Sequence, residues 1–372
     1  MTVQGLISGG VFCQDMTDII VQHVSSGELQ ASFQITDADG SVLSTFTEVY
    51  HPDASDSVCI TGLSEVMESY LTGGDLKDMF NPDGGASDIG GFADLAITLT
   101  DGDDEEEVTQ RFYQCANRTG LYPSSYNYFL NRFRTRHVFN EQLVTCAYIK
   151  HGQTLKCKIA YMNDDDESCL KTVTLQATGA ETGHIIVHQY KLSYLAGLAD
   201  AQPDRVMYVA LELMNGTNRI DYMQYWFDRE ENERKGFVFK NPFGVPEHVI
   251  LTGQDKHTAE LDGTYSWIGR KYMKTHTDLT TLHTLCTGWI DEDTHDSVKD
   301  AIVSSQVFLI DDLTIVDEVT VTDIDLDYEQ PRTTPLHAFI TYRVSNKVQQ
   351  KFSRVRQRAE RIFDDSFDNT FN

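Results

Sequence analysis

Ala31-Ser32-Phe33-Gln34-Ile35-Thr36 runs into Asp37-Ala38-Asp39-Gly40 and then into a second run from Val42 to Tyr50. Apolar and polar residues alternate in the first run, the period of two that puts every other side chain on one face of a half-buried strand. The Asp/Gly turn between the runs predicts a hairpin. The same period recurs at Ala93, Leu95, Ile97 and Leu99, at Leu155, Cys157, Ile159 and Tyr161, at Val173 and Leu175, and at Ala338, Ile340, Tyr342 and Val344. Recurrence from end to end predicts a mainly β protein of consecutive β-sandwich or split-barrel domains.

Two short packing helices interrupt this pattern. Leu63, Val66, Met67, Tyr70 and Leu71 share one helical face, and Gly73-Gly74 supplies a stop. A second helix is predicted from Asp291-Glu292-Asp293, whose carboxylates suit the amides and positive dipole of a helix start, through Val298, Ala301 and Ile302. It leads into a strand from Val307 to Ile310.

A length of 372 residues allows two or three domains of ~100–200 residues each. Asn81-Pro82-Asp83-Gly84-Gly85 reads as a loop, and Asp101 to Glu107 as an acidic turn between a strand ending at Leu99 and the next near Phe112. The composition changes more sharply at Leu121-Tyr122-Pro123-Ser124-Ser125 and across Asp228 to Gly236. Domains are therefore expected at 1–122, 123–233 and 234–350, followed by a tail, 351–372.

The 30 basic residues against 57 acidic ones give a formal charge of −27, which repels phosphate backbones and excludes nucleic-acid binding over the whole surface. With 40% hydrophobic residues, wholesale disorder is excluded as well. No apolar run approaches the roughly 20 residues of a membrane span, and Met1-Thr2-Val3-Gln4-Gly5 lacks a basic leader segment. The expectation is a soluble chain with neither membrane anchor nor signal peptide. Cys13, Cys59, Cys115, Cys146, Cys157, Cys169 and Cys286 form no CxxC pair and are odd in number, so buried free thiols in a reducing compartment are expected, and the sequons at Asn117 and Asn215 carry no meaning.

Chemistry-bearing motifs are absent. There is no phosphate-binding loop, GxGxxG or GxSxG. His276 and His283 lie near Cys286, with His295 beyond, but without HExxH or paired Cys/His spacing, so no metal or other cofactor is expected. Asp164-Asp165-Asp166-Glu167 and the 101–107 run lack the EF-hand spacing and read as solvated turns. No catalytic residue is assigned and the chain is not expected to be an enzyme. Tyr222, Tyr225 and Trp226 form an aromatic cluster, which serves either both faces of a sandwich strand or, in a carbohydrate-binding module or adhesin, a sugar platform.

The tail concentrates positive charge at Lys351, Arg354, Arg356, Arg358 and Arg361, then repeats a ring every four residues at Phe363, Phe367 and Phe371. Such a segment either packs on its own domain or docks as an arm on an acidic neighbour with apolar pockets. In the second case Arg354, Arg356, Arg358, Arg361, Phe363, Phe367 and Phe371 are the partner-binding residues, and truncation after Gln350 leaves a folded subunit that fails to join its neighbour.

The segment Phe237-Val238-Phe239-Lys240-Asn241-Pro242-Phe243-Gly244-Val245-Pro246-Glu247, with Leu251-Thr252-Gly253 and the closing Arg361 to Asn372, resembles tail proteins of phages and prophages of Bacteroidales gut bacteria. So does the order of features, from the Tyr50-His51-Pro52-Asp53 turn through the helix ending Tyr70-Leu71 to the late capped helix before Val307-Phe308-Leu309. The resemblance covers 234–372 well and 1–230 in patches. It implies a structural virion protein similar to distal tail or baseplate hub subunits, assembled in the host cytoplasm into homo-oligomeric, commonly hexameric, rings with other phage tail proteins. DNA is then only passing cargo, for which an acidic conduit is suited. The resemblance gives 234–350 the ring-forming role, through a β structure with one packed helix.

Overall fold

A computed structural model describes residues 1–345 except 72–73, 140–142, 181, 229–233, 269, 312 and 327–336. Leu29–Asp37 and Val42–Tyr50 pair antiparallel around the predicted turn, where the Asp37 carboxylate accepts from the backbone N–H groups of Asp39 and Ser41. They belong to a five-stranded sheet in the order Val11–Phe12, Asp104–Tyr113, Phe92–Asp101, Leu29–Asp37, Val42–Tyr50. Thr2–Gln4, Ile19–Gln22 and Ser57–Ile60 make a second sheet, and with the helix Leu63–Leu71 they cover the inner face of the first. Phe33, Ile35, Leu95 and Ile97 meet Ile19, Val21, Ile60 and Met67 in that core, as the alternation predicts.

The acidic stretch differs from its expectation. The turn is just Gly102-Asp103, because Gly102 takes φ 64° and closes a tight hairpin, so the flanking strands run on to Asp101 and from Asp104. Glu105 and Glu107 remain solvated at the sheet end, where strand geometry costs them no dehydration. Asp101 turns inward and accepts from the backbone of Ser25 and Ser26 at 2.7 Å each. Hydrogen bonds from Ser26 and Ser25 hold its carboxyl down to about 2.

A second pair of sheets follows. Thr135–Phe139, Asn218–Asp228, Val206–Asn215, Thr154–Met162 and Ser168–Gln176 face Val144–Ile149, Ile185–Tyr190 and Gly85–Asp88, the last lent by the N-terminal part of the chain. Cys146, Leu155, Cys157, Ile159, Leu211 and Tyr225 fill the space between, closed by Leu195 of the helix Leu192–Leu198. Thr135–Phe139 runs parallel to Asn218–Asp228, unlike its antiparallel neighbours.

The third unit is a seven-stranded antiparallel sheet ordered Pro246–Leu251, Lys235–Lys240, Val307–Asp311, Thr314–Leu326, Ala338–Val344, Lys271–Cys286, Asp255–Ile268. The helix Glu292–Val303 packs Val298 and Ala301 on Phe237, Leu251, Ile340 and Tyr342, and the Asp291 side chain caps the Thr294 N–H at 2.7 Å. Both predicted helices are present, and Leu76–Met79 and Leu192–Leu198 add two that the sequence did not announce among the described residues. Gly253 lies against the end of the strand Lys271–Cys286 so closely that a Cβ would stand 2.0 Å from the Cys286 carbonyl oxygen. Gly253→Ala is expected to cost about 1–3 kcal/mol, read as a lowered urea midpoint. Cys13, Cys115, Cys146 and Cys157 are buried free thiols, whereas Cys59 is exposed.

A polar seam joins the second unit to the third. Arg136 donates to Glu247 Oε1 at 2.9 Å, to the His248 carbonyl at 2.6 Å and to Ser297 Oγ, and its guanidinium lies 3.9 Å from the centre of the Phe133 ring. Glu247 also accepts from Asn241 and Ser297. Beside it, Asp300 accepts from Arg132 at 2.6 Å, and Asp293 accepts from the backbone N–H groups of Arg134 and Thr135. The helix Glu292–Val303 is thereby pinned to the strand Thr135–Phe139.

Two buried histidines make this packing sensitive to acid. Burial pushes His188, held between the Tyr148 and Tyr190 hydroxyls, down to about 4. Burial, with help from the Arg136 charge, pushes His248 down to about 3. The unfolded chain takes these protons near pH 6.5 and the folded one does not, so their stabilisation is complete above that value and lost as pH falls toward 4 and 3. Asp300, raised to about 6 mainly by burial, opposes them between pH 6 and 4, but one carboxyl offsets only part of two histidines. The urea midpoint is expected to fall steadily between pH 6.5 and 4, and His188→Gln should flatten that slope. An unchanged slope would assign the acid sensitivity elsewhere.

Candidate functional site

The third sheet ends in a ribbon. Asp255–Ile268 and Lys271–Cys286 pair with one another along their whole length, from Asp255↔Leu285 to Ile268↔Lys271. Beyond the ribbon, Lys271–Cys286 pairs with Ala338–Val344 at His283 to Cys286 alone. From Thr258 to Leu282, therefore, both backbone edges of the ribbon are unpaired among the described residues, over about 35 Å. Near the tip, Tyr265 and Tyr272 stack at 5.5 Å with both rings largely exposed. Residues 255–286 carry four acidic and four basic residues, so the ribbon is formally neutral in a chain of −27.

At the root of the ribbon, register places His257 directly opposite His283, with ring centres 4.4 Å apart. Asp255 Oδ2 lies 3.4 Å from His283 Nδ1 and 3.7 Å from His257 Nε2. Tyr342 donates to the same oxygen at 3.3 Å, and Lys235 Nζ stands 3.7 Å away. Sequence reading passed over Asp255 and His257 and noted His283 only for its nearness to Cys286. Nothing in linear spacing could have joined them, since strand register does so.

The aromatic cluster divides between faces. Tyr225 is buried and its hydroxyl accepts from the Thr145 N–H, while Tyr222 and Trp226 stand on the outer face. Tyr208 packs on Trp226 at 4.8 Å, and Glu212, bridged to Lys158 and Arg219 at 2.8 and 3.1 Å, lies beside them. Burial alone would raise the Glu212 carboxyl, but the bonds from Lys158 and Arg219 hold it below its ordinary value.

A cleft of about 600 Å³ opens between the first and second units, lined in part by Asp37, Asp39, Tyr70, Asp88, His184 and Phe243. Asp37 is engaged in its turn, and Asp88 accepts from Gly90 and contacts His184 at 3.0 Å. The Asp164–Glu167 turn is solvated, with Asn163 accepting from the backbone of Asp165 and Glu167. The candidate partner-binding residues Arg354, Arg356, Arg358, Arg361, Phe363, Phe367 and Phe371 lie outside the described residues.

No family model and no curated protein matches the chain. Among solved structures it is similar to the calcium binding domain CBD12 of CALX1.1, over 57% of this chain and 91% of that one, at 7% identity and a TM-score of 0.16. It is also similar to Escherichia coli alpha-2-macroglobulin activated by porcine elastase, over 73% of this chain and 28% of that one, at 8% identity and a TM-score of 0.17. At those TM-scores neither structure informs the fold or function of this chain.

Proposed function

We propose that the chain is a structural subunit of a bacteriophage tail, forming a ring with copies of itself and carrying out no catalysis. The observation that supports this reading best is the ribbon 258–282. An isolated two-stranded hairpin is marginal in water, and unpaired edges of this length are templates for another chain. A neutral ribbon approaches an acidic copy without the repulsion that the rest of the surface would meet. Packing against a neighbour supplies the third side that the ribbon lacks among the described residues, and a cyclic arrangement repeats the contact until it closes. The sequence resemblance supplies the tail setting, and the basic, Phe-rich tail a second contact. Purified full-length protein should sediment as a closed oligomer and give ring-shaped class averages by electron microscopy. A monomer at every concentration, both free and in the presence of tail proteins, would falsify the proposal.

The exposed Trp226 and Tyr222, with the half-buried Tyr208 packed on Trp226, favour a second reading, a carbohydrate-binding module or adhesin, because sugar rings stack on such surfaces beside charged hydrogen-bonding groups. Glycan-array binding that Trp226→Ala abolishes, by a protein that remains monomeric, would establish it in place of the first.

A further inference from the structure

We infer that Asp255, His257 and His283 form a binding site for a divalent transition-metal ion of the zinc class, independently of any assembly role. Two imidazoles and a carboxylate suit zinc, cobalt, nickel or copper, whereas calcium and magnesium prefer all-oxygen shells. A tetrahedral ion with bonds of about 2.0–2.1 Å holds its ligand atoms about 3.3 Å apart. The observed 3.4 and 3.7 Å from Asp255 Oδ2 to the histidine nitrogens are within a few tenths of that spacing. No ligand atom of the three lies more than 4.8 Å from another. The remaining gap closes by rotation of His257, whose side chain is 57% exposed.

The backbone performs most of the positioning. His257 and His283 are opposed by register, so neither strand has to move for both to reach one ion. Tyr342 fixes the other two groups, since its hydroxyl bonds Asp255 Oδ2 and its ring stacks on His283 at 4.8 Å. Such outer partners orient ligands at metal centres.

Charge points the same way. The Asp255 side chain is only 8% exposed, and its Oδ1 is buried without a hydrogen-bond partner. A carboxylate withdrawn from water with one oxygen unsatisfied is costly, and a coordinated cation offsets that cost by neutralising its charge. Lys235, the cation now near it, is at 3.7 Å on a side chain 44% exposed, so it is a loose partner that an ion displaces into solvent. Three protein ligands leave one position for water. The ion would tie the two strands together where the ribbon leaves the sheet.

The test uses full-length protein, stripped with a chelator and dialysed, then titrated with zinc chloride by calorimetry and with cobalt chloride by visible absorption. One ion per chain is expected, with the visible bands of four-coordinate cobalt and no thiolate charge-transfer band. His257→Ala, at an exposed position that folding does not need, should weaken binding at least tenfold with an unchanged circular dichroism spectrum. Asp255→Asn should do the same. Zinc affinity in His257→Ala equal to that of the parent, a thiolate band that moves the site to cysteines, or full competition by calcium would each overturn the assignment.

Discussion

Arg136→Met is expected to lower the free energy of unfolding by about 3–5 kcal/mol, because it strands Glu247 as a buried, uncompensated charge. Arg136 and Glu247 are 2% and 1% exposed. After the substitution, Glu247 keeps Asn241 and Ser297 as neutral donors but no cation, and the packing of the guanidinium on Phe133 is lost too. Arg136→Met combined with Glu247→Leu should recover most of the loss, since replacing both charges by apolar groups removes the penalty along with the attraction. Urea midpoints of the parent, both single variants and the double variant measure the coupling directly. A midpoint shift in Arg136→Met no larger than that of a surface substitution would show that the seam does not hold the second and third units together.

Replacing residues 258–282 by Asn-Gly, so that His257 and His283 flank a two-residue turn, is expected to abolish self-association while leaving the subunit folded. The two-residue Asn-Gly loop matches the twist of an antiparallel pair, and His257 already faces His283. Little of the third core is removed, since Phe237, Leu251, Leu285 and Tyr342 all lie outside the deleted span. Sedimentation velocity distinguishes the outcomes. Rings formed as readily by the shortened chain as by the parent would exclude the ribbon as the assembly element.

The reason such an element escapes a sequence reading is physical. Strands with one dry and one wet face announce themselves, so Ala31 to Ile35, Ala93 to Leu99 and Ala338 to Tyr342 were legible, with the helices Leu63–Leu71 and Glu292–Val303. The ribbon stands largely clear of the sheet, so Thr258-Ala259-Glu260 and Thr280-Thr281-Leu282 need no sustained apolar period and show none. The helix Leu192–Leu198 is two turns long, too short for its period to stand out. Asp255 and His257 meet His283 only through cross-strand register, and the pairing of Gly85–Asp88 with Ile185–Tyr190 spans about a quarter of the chain. The Arg/Phe tail was legible as composition alone, and its residues lie outside those described.

The parallel strand Thr135–Phe139 sets the order of events during synthesis. Its register partner for Thr135 is Gln224, 89 residues later, and the Glu247 that neutralises Arg136 comes 111 residues after it. At about 5–20 residues per second, a ribosome needs roughly 5–20 s to supply Gln224 and slightly longer to supply Glu247. The first sandwich, all of whose strands end by Tyr113, has ample time to close during that wait. Arg136 meanwhile stays hydrated, since its strand cannot pair before residues 218–228 have left the exit tunnel and its charge is not neutralised before Glu247 follows. Chains stalled between residues 140 and 218 would expose a strand whose partner has not yet been made.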